Sequence, residues 1–293
     1  MEPELAFVTL SETFSTQERL LLGLIQGLIS EVVVAGLIQS FYFEYSLFHR
    51  RASVKLPKPP KKKKQSTFLP SIPVLFFFCN VFLLLYTIAT YKSHQFTQSN
   101  CRGIQLFQNL ACHFAHILFD VFLLYKSYIL SNSNTWVERS CLIIFLHRIA
   151  WSGLDLFETH GYWRNGQCVV FQSSLSGMGC ILSDILADAF CTVVSVTCSW
   201  KYIGSGVTKI GEVVLHDNVA RSVVILSTNM FCFYVALTVA DDPFKLWLAY
   251  LAQAYVYARC LNAEAFWVGI RRRSMNTTIG KNTTAQCCEA ERR

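Results

Sequence analysis

Between residues 68 and 91 the chain carries no charged side chain, and six other stretches of similar length are rich in apolar residues: about 20–46, 104–130, 137–158, 169–199, 220–240 and 244–269. A bilayer core about 30 Å thick is crossed by roughly 20 apolar residues at about 1.5 Å rise each, so every stretch is long enough for one crossing. The segments between them concentrate Lys, Arg, Pro, Asn and Gly, which read as loops. Of the 293 residues, 53% are hydrophobic and only 15% charged, against about 25% charged in a soluble domain. That balance excludes a disordered chain, a charged-tail protein and an ordinary soluble enzyme. The expected fold class is all-α, an integral membrane bundle of seven transmembrane helices. One transmembrane domain over 20–270 is expected, between an extracytoplasmic segment 1–19 and a disordered cytoplasmic tail 271–293.

Several boundaries carry their own signals. Ser15-Thr16-Gln17-Glu18 predicts a capping box ahead of the first span. The fifth stretch is the longest and is expected to tilt or to extend beyond the membrane. Asp241-Asp242-Pro243 separates the last two spans as a short turn, because two adjacent acids are costly in hydrocarbon.

Orientation follows from the cations. Nineteen of the 26 Lys and Arg residues fall on one alternating set of segments and five on the other, with Arg148 and Arg259 inside spans. The rich side should face the cytoplasm, which puts the N-terminus outside and the C-terminus inside; the plasma membrane is expected rather than an internal one. Glu2, Glu4, Glu12 and Glu18 precede the first span with Arg19 as the sole cation. That lacks the positive n-region of a secretory signal, so the first span is expected to stay as an anchor. Lys55, Lys58, Lys61, Lys62, Lys63 and Lys64, interleaved with Pro57, Pro59 and Pro60, form a cationic inner loop. Anionic lipid attracts such a segment by about 1 kcal/mol per basic residue; lipid, not nucleic acid, is its expected partner. Asn276-Thr277-Thr278 and Asn282-Thr283-Thr284 match the glycosylation pattern but should stay bare on the inner side.

Topology also sorts the twelve cysteines. Only Cys101 and Cys168 fall in outer loops, where oxidation is permitted. A bridge between them would pin the loop joining spans four and five onto the top of helix three; two free loop thiols are the alternative. The cysteines within spans read as small apolar fillers, and adjacent Cys287-Cys288 in the tail as either palmitate acceptors or plain thiols.

Seven spans, an outside N-terminus, basic inner loops and the Cys101/Cys168 pair resemble a seven-helix receptor of the G-protein-coupled type. The resemblance covers the whole chain as architecture and not as motif. Leu124-Tyr125-Lys126-Ser127 stands where an Asp-Arg-Tyr triplet would end helix three, and Ala258-Arg259-Cys260-Leu261-Asn262 where helix seven would carry Asn-Pro-x-x-Tyr. The stretch Asp120 to Lys126, His147-Arg148 with Trp151, and Tyr255 to Cys260 are also similar to an uncharacterised family of fungal multipass membrane proteins, which implies no particular activity.

Charge inside a span is expensive and therefore informative. His113, His116 and Asp120 sit at i, i+3 and i+7, on one face of helix three. Asp184 and Asp188 share a face of helix five, and Arg148, Trp151 and Asp155 a face of helix four. Glu31 lies in helix one, Arg259 and Glu264 in helix seven. Counting from the span ends puts Asp120, Arg148, Asp184 and Arg259 at one level. A buried polar network of Asp120, Arg148, Asp184, Asp188 and Arg259 is expected beneath a ligand cavity walled by His113, His116, Trp151, Asp155 and Gln172. His113 and His116 could share a metal, but no third ligand is fixed by spacing, so neither metal nor cofactor is expected, and no catalytic residue. The leading functional expectation is a receptor-like protein sensing an extracytoplasmic small molecule, with no enzymatic activity. A transporter or proton-linked carrier using the buried Asp/Arg pairs comes second, and a metal-dependent membrane lipid hydrolase third.

Overall fold

The computed structural model describes residues 15–53, 72–92, 99–164, 167–203, 209–238 and 244–266. They form seven helices: α1 (Thr16–Ser53), α2 (Ile72–Lys92), α3 (Cys101–Leu130), α4 (Thr135–Glu158), α5 (Ser174–Ile203), α6 (Lys209–Thr238) and α7 over 244–266. Six of them, α1 to α6, are long and apolar enough to cross a membrane. The chain is thus a helical integral membrane protein of multipass type. The seventh helix is less apolar because Gln253, Arg259, Asn262 and Glu264 interrupt it. The basic loop Lys55–Lys64, the segments 1–14 and 267–293, both glycosylation patterns and Cys287-Cys288 lie outside the described residues.

Helix α1 begins on its capping box: Ser15 N–H donates to Glu18 Oε2 at 2.7 Å, and Glu18 N–H to Ser15 Oγ at 3.3 Å. Between α3 and α4 the chain reverses over Asn132 and Ser133, both in the left-handed region at φ 58° and 60°. The freed amides are taken up by the end of α3, Ser131 N–H on Ser127 O and Ser133 N–H on Tyr128 O. Asn134 then caps α4 by accepting from Trp136 N–H at 2.9 Å.

Where the fifth stretch was expected to be one long span from 169, its first residues are instead β-structure. Strands β1 (His160–Arg164) and β2 (Gln167–Phe171) pair antiparallel, Trp163 opposite Cys168, and α5 starts only at Ser174. Val169-Val170-Phe171 is apolar enough to merge with a span in any hydropathy window. The overlooked signal is the Asn165-Gly166 dipeptide between two aromatic and β-branched runs. Helix α6 likewise starts earlier than the expected 220, at Lys209.

A disulfide joins Cys101, at the first residue of α3, to Cys168 in β2, with Cα atoms 5.4 Å apart. The hairpin lies so close over α3 that a Cβ on Gly161 would press into the Gln105 side chain and the Cys101 carbonyl. Helix α3 is the hub, packing on α2, α4, α5 and both strands. Its Phe119, Phe122 and Leu123 join Ile29, Val33, Leu83, Tyr257 and Leu261 in the main core, and the Phe119 and Tyr257 rings stack at 4.2 Å. Outward, Leu142, Ile143, Leu146, Val193, Val223 and Phe231 are exposed, an apolar coat that suits lipid rather than water.

Candidate functional site

Polar side chains buried between α3, α4, α5, α6 and α7 form four tiers. Nearest the hairpin, Asp155 is fully buried and accepts four hydrogen bonds. Asn109 Nδ2 and His113 Nε2 donate to its Oδ2 at 3.0 and 2.8 Å, and Gln172 Nε2 and Ser176 Oγ to its Oδ1 at 2.8 and 2.9 Å. Such saturation is what a carboxylate needs in hydrocarbon. Cys180 is also part of this tier: its sulfur and ligand atoms of His113 and Asp155 all lie within 4.8 Å of one another.

The second tier centres on Arg148, which is 2% exposed. Its Nε lies 2.7 Å from Asp184 Oδ1 and 3.4 Å from Asp120 Oδ2, while His116 Nδ1 donates to Asp184 Oδ2 at 3.0 Å. Three helices are tied by one guanidinium. In the third tier Asn229 Nδ2 donates to Asp188 Oδ2, Gln253 Nε2 to Asn229 Oδ1 at 2.7 Å, and Tyr257 Oη to Asn229 Oδ1 at 2.9 Å. The fourth, at the end remote from the hairpin, is a triad in which Lys126 Nζ and Arg221 Nη2 meet Glu264 Oε2 at 2.8 and 2.7 Å.

A cavity of about 190 Å³ opens beside the first two tiers. Its polar wall includes Gln108, Asn109, His113, His116, Gln172 and Gln253, and Arg148 and Asp184 reach it from the second tier. Tyr86, Trp247 and Tyr250 supply aromatic surface opposite. On the lining residues, Gln108 Oε1, His113 Nδ1 and Thr159 Oγ1 are buried without a hydrogen bond, as are atoms of the ion-paired Arg148 and Asp184.

Of the residues expected around a cavity, His113, His116 and Gln172 line it, and Asp155 stands behind them as the anchor of His113 and Gln172. Trp151 is elsewhere. Its indole lies flat over Gly179, where a Cβ would fall on the ring, and its Nε1 donates to His147 Nε2 at 3.0 Å. His147 Nδ1 therefore carries the proton and donates to Ser183 Oγ at 3.0 Å, whose own hydrogen goes to Gly179 O. Of the expected network, Asp120, Arg148 and Asp184 are joined and Asp188 belongs to the tier below. Arg259 needs correction: it is exposed, with Nε donating to Tyr255 Oη at 3.0 Å and its guanidinium over that ring. It lies two residues, roughly 200° around the helix, from inward-facing Tyr257; depth gave its level but not its direction. Glu31 is likewise exposed.

Asn109, Ser176, Cys180, Asn229, Gln253 and Tyr257 escaped the reading of the sequence. A helical-period search would have found Asn109, one turn before His113, and Gln253 and Tyr257 at i and i+4. No local signal marked Cys180 or Ser176. No family model matches the chain, and no curated protein is significantly similar to it. Fold and polar interior together define it as a multipass helical membrane protein with a buried, polar-walled cavity.

Proposed function

We propose that the protein is a receptor-like, seven-span protein of the plasma membrane that binds a small polar molecule in this cavity from the extracytoplasmic side. One observation carries the reading: the cavity wall is continuous with the Arg148–Asp184–Asp120 cluster, so an occupant touching His116 or Asp184 changes the ion pairs that tie α3, α4 and α5. An interaction that differs between two arrangements of such a cluster is what a ligand needs to shift a conformational equilibrium. At 23 residues, α7 spans about 34 Å, enough to cross. The disulfide-linked hairpin suits the oxidising side, and Lys126, Arg139 and Arg221 at the other end suit the cytoplasm. The basic run Lys55–Lys64 has the charge to attract anionic lipid.

The experiment is a thermal-shift screen of small polar molecules on the full-length protein in nanodiscs. A hit should stabilise the wild type and lose its effect in Gln108→Ala and Gln253→Ala variants that still insert; hits indifferent to both changes would sink the reading. Unmodified Asn276 and Asn282 in a glycosidase-shift assay would support the orientation, and glycan on either would reverse it. The stacked third and fourth tiers favour a second reading, a proton-linked carrier. Flux driven by a pH gradient in reconstituted vesicles, abolished by Asp120→Asn, would select it over the receptor.

A further inference from the structure

We propose that His113, Asp155 and Cys180 form a binding site for a borderline divalent metal ion, of the zinc or cobalt kind, in the wall of the cavity. The proposal goes beyond the receptor reading and does not depend on it. Three residues from three helices bring an imidazole nitrogen, a carboxylate oxygen and a thiol sulfur within 4.8 Å of one another. Metal–ligand bonds of about 2.0–2.3 Å at tetrahedral angles put ligand atoms roughly 3.3–3.7 Å apart. His113 Nε2 and Asp155 Oδ2, now 2.8 Å apart, would open to that spacing as the ion replaces their hydrogen bond, while the wider separations would close.

Three further observations point to a cation. His113 is 7% exposed, lines the cavity and turns Nε2 toward Asp155 at 2.8 Å, so Nε2 is the nitrogen that faces the trio, and on binding its proton passes to Nδ1, which is buried with no hydrogen-bond partner. Asp155 is held from outside the trio by Asn109, Gln172 and Ser176, the supporting shell that orients a metal-bound carboxylate. Finally, Asp120 and Asp184 take up Arg148, with His116 on Asp184, which leaves His113 as the basic group on the Asp155 carboxylate. A divalent ion on the Asp155 carboxylate and Cys180 thiolate is neutral as a unit and leaves the other two acids to Arg148 and His116. Binding displaces the Cys180 thiol proton to solvent. Donor type narrows the ion: a thiolate with an imidazole selects zinc, cobalt or copper over magnesium and calcium. Three protein ligands leave a tetrahedral ion one position short, open to water or to a molecule entering the cavity.

Cobalt titration of the full-length protein in nanodiscs tests this. The wild type should bind one Co²⁺ with the intense near-ultraviolet band of a sulfur–cobalt bond, and zinc should erase it. The band should vanish in Cys180→Ser and persist in Cys232→Ser, which alters a buried cysteine on α6 away from the trio. Asn109→Ala and Gln172→Ala should each weaken binding by about 10–100-fold. No sulfur–cobalt band in the wild type, or one that survives Cys180→Ser, overturns the proposal. If Cys180→Ser fails to insert, X-ray absorption of the zinc-loaded wild type decides: one sulfur with a nitrogen/oxygen shell supports the site, and a shell without sulfur refutes it.

Discussion

Helices α1 and α2 solve the problem of polar side chains in hydrocarbon differently from α3, α4 and α5. On the first pair, Ser40, Asn80, Thr87 and Thr90 are buried, and each donates at 2.8–2.9 Å to the carbonyl four residues back on its own helix. Among the described residues, neither helix buries a charged one. On α3 to α5, Asp120, Arg148, Asp155 and Asp184 are buried and find their partners on other helices. A hydroxyl can return to its own backbone because the i−4 carbonyl has a spare lone pair. A carboxylate or guanidinium cannot be neutralised that way and needs its complement across an interface. The first half is thus held by packing and by a few uncharged hydrogen bonds, among them Asn262 Nδ2 on Val32 O at 2.6 Å and Gln108 Nε2 on Thr90 Oγ1 at 3.2 Å. The second is held by pairings that also fix which helix meets which, and its cavity lies beside them.

The strongest way to break this contrast is Arg148→Met. It fills similar volume but strips Asp120 and Asp184 of their shared cation, and breaking a buried pair this way costs about 3–5 kcal/mol. Denaturant-induced unfolding in mixed lipid–detergent micelles should show that loss. A cost below about 1 kcal/mol, typical of exposed ion pairs, would mean the cluster contributes little to holding α3, α4 and α5 together.

Next in size is the covalent tie on the same side of the molecule. The Cys101–Cys168 disulfide spans 67 residues, for which loop-closure entropy sets a stabilisation of up to about 4 kcal/mol. Cys101→Ser should lower stability under oxidising conditions by no more than that, and reductant should bring the wild type to the variant's level. A variant as stable as the oxidised wild type would show that the hairpin needs no covalent tether over α3.

How far these features could be read in advance depends on periodicity. The α3 face His113–His116–Asp120 was legible because helical spacing alone puts the three on one side, and the capping box at Ser15 because it is local in sequence. Arg148 with Asp120 and Asp184 could be placed at one depth by counting from span ends. Azimuth was harder: Arg259 shares that depth yet points outward, since nothing local to α7 says which face meets the bundle. Cys180 was invisible for a different reason. A cysteine in a span reads as an apolar filler, and only packing of α5 against α3 and α4 brings its sulfur to His113 and Asp155.

Beside the Arg148–Asp184 ion pair, helix α4 meets α5 through a contact of shape. Trp151 lies on Gly179, and a methyl there would collide with the indole ring. Gly179→Ala should cost about 1–3 kcal/mol through overpacking and should also disturb the His147–Trp151 hydrogen bond, visible as a change in Trp fluorescence. A neutral Gly179→Ala would mean the indole moves aside freely and that pairing of charges suffices to seat α4 on α5.

The smallest expected effect is the most discriminating. Thr87 on α2 donates only to Leu83 O, at 2.8 Å, and that carbonyl keeps its backbone bond when the hydroxyl is removed. Thr87→Val preserves shape and leaves no orphaned group, so it should change stability by less than about 0.6 kcal/mol, the average for polar side-chain bonds between membrane helices. Ser176→Ala is the matched change on the other half. That hydroxyl donates its one hydrogen to Asp155 at 2.9 Å, with Ser173 O at 3.2 Å the competing acceptor. Its loss removes one of four donors from a fully buried carboxylate and should cost about 1.5–3 kcal/mol, as for hydrogen bonds to charged groups. Equal effects at the two positions would erase the distinction between the halves. A larger effect at Ser176 locates the specificity of the bundle in its carboxylates.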